Sequence, residues 1–210
     1  MSRSYRQYCG LARALDVVGD RWNLLIVRQL LIAPARYREL LDGLPGVATN
    51  LLADRLRDLE AAGVVERRLA EDANAAVYAL TPWGAELRGP IEGLVRWSTP
   101  LMVTGPADDD YFRADWLVVP LRALLKGSSR RSSTVGIAVD DELVQVRTTR
   151  SGVEVRPHDG GELDAVVRAD GAIVLGLAAG VLSLDTPGLV EIEGDEAAVR
   201  SLFGQQKGDR

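Results

Sequence analysis

The sequence predicts an α+β protein in two parts, a mainly helical first half with one β-hairpin and a second half built on an antiparallel sheet. Apolar residues recur at helical spacing through most of the first hundred residues. In the second half the runs TVGIAV, ELVQVRTT and GVEVRP alternate with a period of two and are joined by Asp-Asp and Ser-Gly turns, as in a meander. The stretch TGPADDD at 104–110 interrupts both patterns. We therefore expect two domains, residues 1–105 and 106–210.

The composition is typical of a globular cytoplasmic protein. The chain has 210 residues, 47% of them hydrophobic, which is enough to bury two cores. No run of 18 apolar residues occurs, and the opening MSRSYRQYCG lacks the apolar stretch of a signal peptide. The single cysteine, Cys9, excludes an internal disulfide framework and fits a reducing compartment. These features predict a cytoplasmic location and no membrane partner.

The charge is distributed unevenly between the two halves. The net charge of −5, taken alone, argues against a nucleic-acid partner. Residues 1–105 carry 13 Arg against 12 Asp and Glu, however, whereas residues 106–210 carry 12 Arg and Lys against 18 Asp and Glu. Because a small basic face is enough to bind phosphates, the first half stays a candidate for binding nucleic acid.

The order of elements in the first half is that of a winged helix-turn-helix. Periodicity, Gly63 as a C-cap and the turn residues predict four helices, a hairpin and a last helix. The helices are expected over 11–18, 21–32, 36–42 and 48–62, the hairpin strands over 64–70 and 75–81 around the tip EDAN, and the last helix over 83–103.

The fourth helix has the two faces that a DNA recognition helix needs. Leu52, Leu56 and Leu59 share one face, and small or polar side chains lie opposite, where they could approach base edges in the major groove. Arginines on the preceding helix and at the start of the hairpin could hold phosphates. The residues predicted to contact DNA are Arg36, Arg38, Thr49, Asn50, Ala53, Asp54, Arg55, Arg57, Arg67 and Arg68. The alternative is an ordinary amphipathic helix with a solvated face, which the carboxylates of Asp54 and Asp58 and the acidic tip EDAN favour.

Several segments together resemble the HxlR family of bacterial winged-helix regulators. They are Cys9, ALDVVGDRW, LLIVRQLL, RYREL, LPGVATNLLADRLRDLEAAGVVERR, VYALTPWGAEL and Trp97, in order and with few gaps over about the first hundred residues. The resemblance implies a homodimer formed through the first and last helices of the module. Two recognition helices would then meet a palindromic operator whose half-sites lie about one helical turn apart.

The resemblance also gives Cys9 a candidate role. It matches a cysteine that some HxlR-like regulators use to sense oxidants or electrophiles. A reactive thiolate needs nearby positive charge, which Arg6 or Arg13 could supply. The alternative is that Cys9 is a small buried residue at the start of a helix.

The second half is predicted to carry an unusually apolar helix on its sheet. Beyond the meander we expect helices over 115–126, 171–184 and 195–204, the last capped by Asp195, and strands over 163–169 and 189–194. The segment LDAVVRADGAIVLGLAAGVLSLDTPGLVEIEGDEAAVRSLFG resembles sterol-carrier-protein-2-like domains, which implies an apolar tunnel between sheet and helices. Ile173, Leu177 and Val181 are the candidate ligand-binding residues, with room for a ligand beside the small residues Gly176, Ala178, Ala179 and Gly180. The alternatives are that the same residues simply pack on the sheet, and that the domain only adds dimer surface.

Catalysis finds little support in the sequence. His158 is the only histidine and lies in the turn-like PHDGG, and neither GxGxxG nor a P-loop pattern occurs. We expect no enzyme activity, cofactor or metal. The prediction is a DNA-binding homodimeric regulator, a repressor, whose C-terminal domain senses a hydrophobic small molecule. The alternatives are a repressor that senses oxidants or electrophiles through Cys9, and a lipid-binding or carrier protein whose winged helix only dimerises.

Overall fold

The computed structural model describes residues 4–70, 75–102, 105–126 and 132–204, and the chain divides into two compact units, Met1–Ile91 and Glu92–Arg210. The predicted hairpin tip EDAN at 71–74 and the predicted helix end at 103 lie outside the described residues. The predicted domain boundary at 105 stays a prediction. Each unit is described by itself below.

The first unit begins with the four predicted helices and the predicted hairpin. The helical prediction is confirmed, with ends shifted by one or two residues, and the two strands pair in antiparallel orientation with Arg67 opposite Tyr78. The helices are α1 Gly10–Val18, α2 Asn23–Ile32, α3 Tyr37–Asp42 and α4 Thr49–Ala61, and the strands are β1 Val65–Leu69 and β2 Ala76–Leu80.

The core of the first unit lies between α2, α3 and α4. Ile26 and Val27 of α2, Leu40 of α3 and all three predicted leucines of α4 have no exposed surface. Each fully buried side chain of this size contributes roughly 1.5–3 kcal/mol relative to an exposed one. The apolar face of α4 is therefore a structural element of the core, as its spacing predicts.

The last predicted helix is interrupted, so the single helix expected over 83–103 is wrong. It consists of α5 Pro82–Ala85, α6 Arg88–Ser98 and a 3₁₀ turn over Thr99–Met102. Between α5 and α6 the N–H groups of Glu86 and Leu87 donate to carbonyls three residues back, which tightens the chain out of the α-helical ladder. Pro100 has no N–H to continue α6.

The second unit is a five-stranded sheet with helices. It contains a 3₁₀ turn over Ala114–Leu117 and the elements α7 Val118–Leu124, β3 Ser133–Val139, β4 Glu142–Thr149, β5 Gly152–Pro157, β6 Ala165–Arg168, α8 Gly171–Ala178, β7 Glu191–Gly194 and α9 Glu196–Phe203. Pro120 cannot donate to the carbonyl four residues back, which accounts for the 3₁₀ turn before α7.

The sheet is mixed, so the predicted all-antiparallel sheet is wrong. The strand order is β5-β4-β3-β6-β7, and the predicted meander β3–β4–β5 is present. After β5 the chain returns to the free edge of β3 and enters parallel to it, with Val135 opposite Ala165. Asp164 fixes this register, because its carboxylate accepts the N–H of Thr134 at 2.7 Å and its own N–H donates to the Thr134 carbonyl at 2.9 Å.

The apolar helix α8 is shorter than predicted. It ends at Ala178 rather than 184, because Gly180 takes a positive φ of 70° and the N–H groups of Val181 and Leu182 both donate to the carbonyl of Gly176. Asp195 caps α9 as predicted, accepting the N–H of Ala197 at 2.9 Å. No described helix combines the length and the apolar composition that a bilayer crossing requires.

Two glycines give a test of how tightly the start of α5 is packed. A Cβ at Gly84 would lie 2.0 Å from the carbonyl oxygen of Val64, whereas a Cβ at Gly89 in α6 would meet nothing within 4 Å. We expect Gly84→Ala to lower the free energy of unfolding by about 1–3 kcal/mol through overpacking. Gly89→Ala should raise it by about 0.5–1 kcal/mol, because glycine is a poor helix former. Urea unfolding followed by circular dichroism measures both, and equal effects of the two variants would contradict the packing described.

Candidate nucleic-acid interface

The helix-turn-helix consists of α3, a short turn and α4, and its geometry is fixed by local hydrogen bonds. In the turn the N–H of Val47 donates to the carbonyl of Leu44 at 3.1 Å, and Gly46 has a positive φ of 84° that favours glycine. The Tyr37 hydroxyl donates to the carbonyl of Thr49, the first residue of α4, at 2.7 Å. This bond ties the start of α4 to the start of α3.

The outer face of α4 is formed by its short polar side chains. Thr49, Asn50, Asp54 and Arg57 are exposed and Ala53 is half-buried, while the leucines on the opposite face are fully buried. The N-cap residue is Ala48, whose side chain cannot satisfy the first backbone N–H groups. The exposed end of α4 therefore combines small side chains with the positive end of a helix dipole.

Arg57 is paired on the outer face itself. Its guanidinium forms an ion pair with Asp54 one turn back, and its Nε donates to the carbonyl of Ala53 at 3.4 Å. Both charged side chains remain more than half exposed. Exposed pairs of this kind contribute little and are screened by salt, so a phosphate or base edge can compete for the arginine.

Arg55 has a different position from Arg57. Its side chain is only 21% exposed and bridges Asp20, in the turn between α1 and α2, and Asp58, one turn further along α4, at 3.1 Å. The guanidinium thus links α4 to the turn that precedes α2. The contact of Arg55 with DNA stays a prediction. Its ion pair with Asp20 was not predicted from the sequence, because Asp20 lies 35 residues away in the chain.

The hairpin is attached to both helices of the helix-turn-helix. Ala35, just before α3, pairs with Tyr78 of β2 through two backbone hydrogen bonds of 3.0 and 2.8 Å. Arg67 forms an ion pair with Glu60 of α4 at 2.9 Å and lies over the Tyr78 ring at 5.2 Å. Arg68 is exposed and forms no ion pair with any residue that the structure describes. Of the two hairpin arginines, one is therefore held by the fold and one is available.

The two arginines at the start of α3 are both exposed. The N–H of Arg36, the N-cap residue, donates to the Glu39 carboxylate at 2.6 Å, which fixes the first turn of α3. Arg38 lies in that turn and has no ion pair among the described residues. Arg38 and Arg68 are thus the predicted phosphate-binding residues that carry uncompensated charge.

Cys9 is exposed at the start of α1, not buried. The backbone N–H groups of Ala12, foremost, and of Leu11 lower the pKa of the Cys9 thiol from its ordinary value. Arg13, one of the two arginines expected to supply positive charge alongside Arg6, has its guanidinium 3.6 Å from the Asp16 carboxylate. The helix start therefore takes the role that the sequence assigned to a neighbouring arginine.

The predicted ligand residues of the second unit do not share one helix face. Leu177 is buried and Ile173 half-buried in α8, but Val181 lies beyond the end of α8 and is 51% exposed. The space expected beside Gly176 is filled by Leu182, whose Cδ1 would be 2.7 Å from an added Cβ. The room expected beside Gly176 is therefore absent, whereas the ligand-binding role of the three residues stays a prediction. Among the described residues no group of His, Cys, Asp and Glu could hold a metal ion.

The bridge made by Arg55 gives a test of what positions α4. We expect Arg55→Ala and Asp20→Asn each to lower the free energy of unfolding by about 1 kcal/mol, because each breaks a partly exposed ion pair. The double variant should lose less than the sum of the two, since each single variant already removes the shared contact. Arg57→Ala is the matched control on the same helix and should change stability little. Strict additivity of Arg55→Ala and Asp20→Asn in denaturant unfolding would contradict the bridge.

Comparison with known proteins identifies the family. The HxlR-like helix-turn-helix family matches residues 17–104. The HTH-type transcriptional regulator YodB of Bacillus subtilis is 34% identical over 86 residues, which cover 40% of this chain and 77% of YodB. The HTH-type transcriptional regulator YvaP of the same organism is 34% identical over 88 residues, covering 41% of this chain and 82% of YvaP. The solved reduced form of YodB aligns with 48% of this chain at a TM-score of 0.41 and 28% identity. The chain belongs to the HxlR-like helix-turn-helix family of transcriptional regulators.

Proposed function

We propose that the protein is a homodimeric transcriptional repressor in which α4 reads the major groove of a palindromic operator. The observation that carries the proposal is the exposed face of α4 around Thr49 and Asn50, held by three fully buried leucines and by the Tyr37 hydrogen bond. A repressor of this kind acts in the cytoplasm, where the chromosome lies. Sensing of a hydrophobic small molecule by the second unit stays a prediction.

Base recognition would come from the N-terminal half of α4. The Asn50 amide can form two hydrogen bonds to adenine, and Arg57 can reach guanine once it leaves Asp54. Each such contact contributes about 1–3 kcal/mol of discrimination between bases. On binding DNA, Arg57 would exchange its ion pair with Asp54 for a contact with a base. The exchange would be sensitive to salt, because salt screens exposed ion pairs.

Phosphate binding would come from the uncompensated arginines. Arg38 on α3 and Arg68 on β1 carry no ion pair within the described parts of the chain; the exposed Arg36, which has interactions within the fold, is the N-cap residue of α3. Contacts to phosphate fix the register on the duplex and carry most of the salt dependence. Arg55 and Arg67 would act indirectly, because each holds another element in place.

Dimerisation is supported by exposed apolar side chains at both ends of the module. Leu11 in α1 is 70% exposed, and Trp97 in α6 is 74% exposed. Leu15, one turn after Leu11, and Leu94, one turn before Trp97, are also exposed, and contiguous exposed apolar side chains mark interaction surfaces in soluble proteins. A two-fold dimer made through these helices would present two copies of α4 and so favour a palindromic site.

The role proposed for the second unit is mainly structural. Leu177 and the sheet residues Ile137 and Val167 are packed with almost no exposed surface, which favours a filled core over a ligand tunnel. The resemblance to sterol-carrier-protein-2-like domains and the ligand-binding role of Ile173, Leu177 and Val181 stay predictions.

The test is a gel shift on the region upstream of the protein's own gene. We expect specific binding whose logarithmic affinity falls linearly with the logarithm of salt concentration. Arg38→Ala should reduce the steepness of that line by about 1 and weaken binding to all sequences alike. Arg200→Ala, which removes an exposed arginine of the second unit paired with Asp185 and Glu196, is the control and should leave the line unchanged.

Two outcomes would count against the proposal. Absence of any shift at low salt, on a fragment that contains a palindrome, contradicts DNA binding. If a lipid also co-purifies with the chain, the result favours the carrier function in which the winged helix only dimerises.

A second candidate function, control through Cys9, is favoured by the exposed sulfur at the start of α1. Because the pKa of the thiol is lowered, alkylation of Cys9 by N-ethylmaleimide should reach its half-maximal rate at a lower pH than that of cysteine in an unstructured peptide. Alkylation should then release DNA from the wild-type protein and leave Cys9→Ser bound. Release of DNA from Cys9→Ser by the same reagent would exclude this mechanism.

A further inference from the structure

An apolar groove lies in the first unit, on the side of α1 that faces α5 and the start of α6. Its volume is about 640 Å³, within the range of small-molecule sites in proteins. Its walls are formed mainly by Gly10, Ala14 and Val17 of α1, by Val64, and by Trp83 and Leu87. Trp83 is 54% exposed, so the groove offers a flat aromatic surface to a ligand.

The groove is distinct from the apolar row of α1 that supports dimerisation. At 100° per residue, the side of α1 that carries Gly10, Ala14 and Val17 is centred roughly 110° from the side that carries Leu11 and Leu15. Leu11 and Leu15 are exposed and do not line the groove. The helix α1 therefore presents two apolar surfaces. A partner copy that packs on Leu11 and Leu15 would leave the groove side of α1 uncovered.

The floor of the groove is the junction between α4 and the hairpin. Val64 lies three residues beyond the end of α4, and its N–H donates to the carbonyl of Leu59 in that helix at 2.9 Å. The carbonyl of Val64 accepts the N–H of Thr81, just beyond β2, at 3.1 Å. A molecule that presses on Val64 thus acts on a residue bonded to both DNA-facing elements.

The charged groups at the rim select the charge of the ligand. The Arg13 guanidinium lies 3.6 Å from the Asp16 carboxylate. The same carboxylate accepts the N–H of Tyr5 at 2.8 Å, which lowers the pKa of Asp16. Glu86, in contrast, is exposed and has no ion pair among the described residues. The rim therefore carries one uncompensated negative charge next to an aromatic ring, a combination that suits an organic cation.

We propose that this groove binds hydrophobic organic cations and that an occupied groove changes the placement of α4 and the hairpin on DNA. The second part rests on the proposed function. A ligand shifts the equilibrium only by its different affinity for the two placements, and Val64 is the contact that would differ.

The experiment uses two probes of the same shape and opposite charge, tetraphenylphosphonium and tetraphenylborate, titrated into the full chain in a calorimeter. We expect one tetraphenylphosphonium per chain, bound about fivefold more tightly than tetraphenylborate, as for one partly exposed charge pair. Glu86→Gln should remove the preference and keep the binding. Ala14→Trp and Gly10→Trp should fill the groove and abolish binding of both probes; two positions are used so that one folded variant suffices.

Gel shifts with and without tetraphenylphosphonium separate the groove from the proposed function. We expect the probe to weaken DNA binding by the wild type and not by Ala14→Trp.

Failure of either probe to bind, or binding retained in a folded groove-filled variant, overturns the site; equal affinity for both probes overturns the charge class. An unchanged DNA affinity overturns the coupling. If the wild type binds no DNA without probe, the proposed function fails while the calorimetry still decides the groove. Loss of dimer on adding probe, in sedimentation, would show that a second copy occupies the groove and would also overturn it.

Discussion

The burial of one face of α4 is the constraint on which the rest of the first unit depends. Leu52, Leu56 and Leu59 are fully buried, so the rotation of α4 about its axis is fixed and its polar side must face outward. The Tyr37 hydroxyl sets the start of the helix and the Arg55 bridge sets its middle. Readout of bases by short side chains such as Asn50 requires this fixed placement, because a short side chain cannot compensate for a helix that rotates or slides.

In the proposed function, the carboxylates beside the arginines of α4 would let an acidic protein bind DNA without binding every duplex equally well. Asp54 neutralises Arg57 in the free protein, whereas Arg38 and Arg68 remain uncompensated among the described residues. Weak phosphate attraction from a few arginines gives modest affinity for any duplex. Under the same proposal, Arg57 would leave Asp54 only where a base or phosphate offers a better partner, so the acidic residues would favour specificity over general affinity.

The sequence predicted what depends on local periodicity and missed what depends on distant contacts. Leucine spacing located α4 and its buried face, and turn residues located the hairpin. The pairing of Arg55 with Asp20, and the parallel pairing of β3 with β6, join residues far apart in the chain, and no local pattern encodes them. The predicted end of α8 was wrong for a related reason. The helix stops at Ala178 because Gly180 adopts a positive φ, and the continuous apolar run LAAGVLSL gives no sign of this turn. The filled space beside Gly176 likewise depends on where Leu182 folds back.

Val64 links the proposed ligand groove to the two elements proposed to contact DNA, α4 and the hairpin. Its side chain is nearly buried at the base of the groove, and its two backbone bonds reach α4 on one side and the end of β2 on the other. The adjacent Gly84 leaves no room for even a methyl group against the Val64 carbonyl, so this junction cannot absorb a displacement by local slack. A shift of Val64 must therefore pass to the helix or to the hairpin. Both α4 and the hairpin carry side chains proposed to contact DNA. A ligand in the groove that displaces Val64 would therefore change the positions of both elements on the duplex.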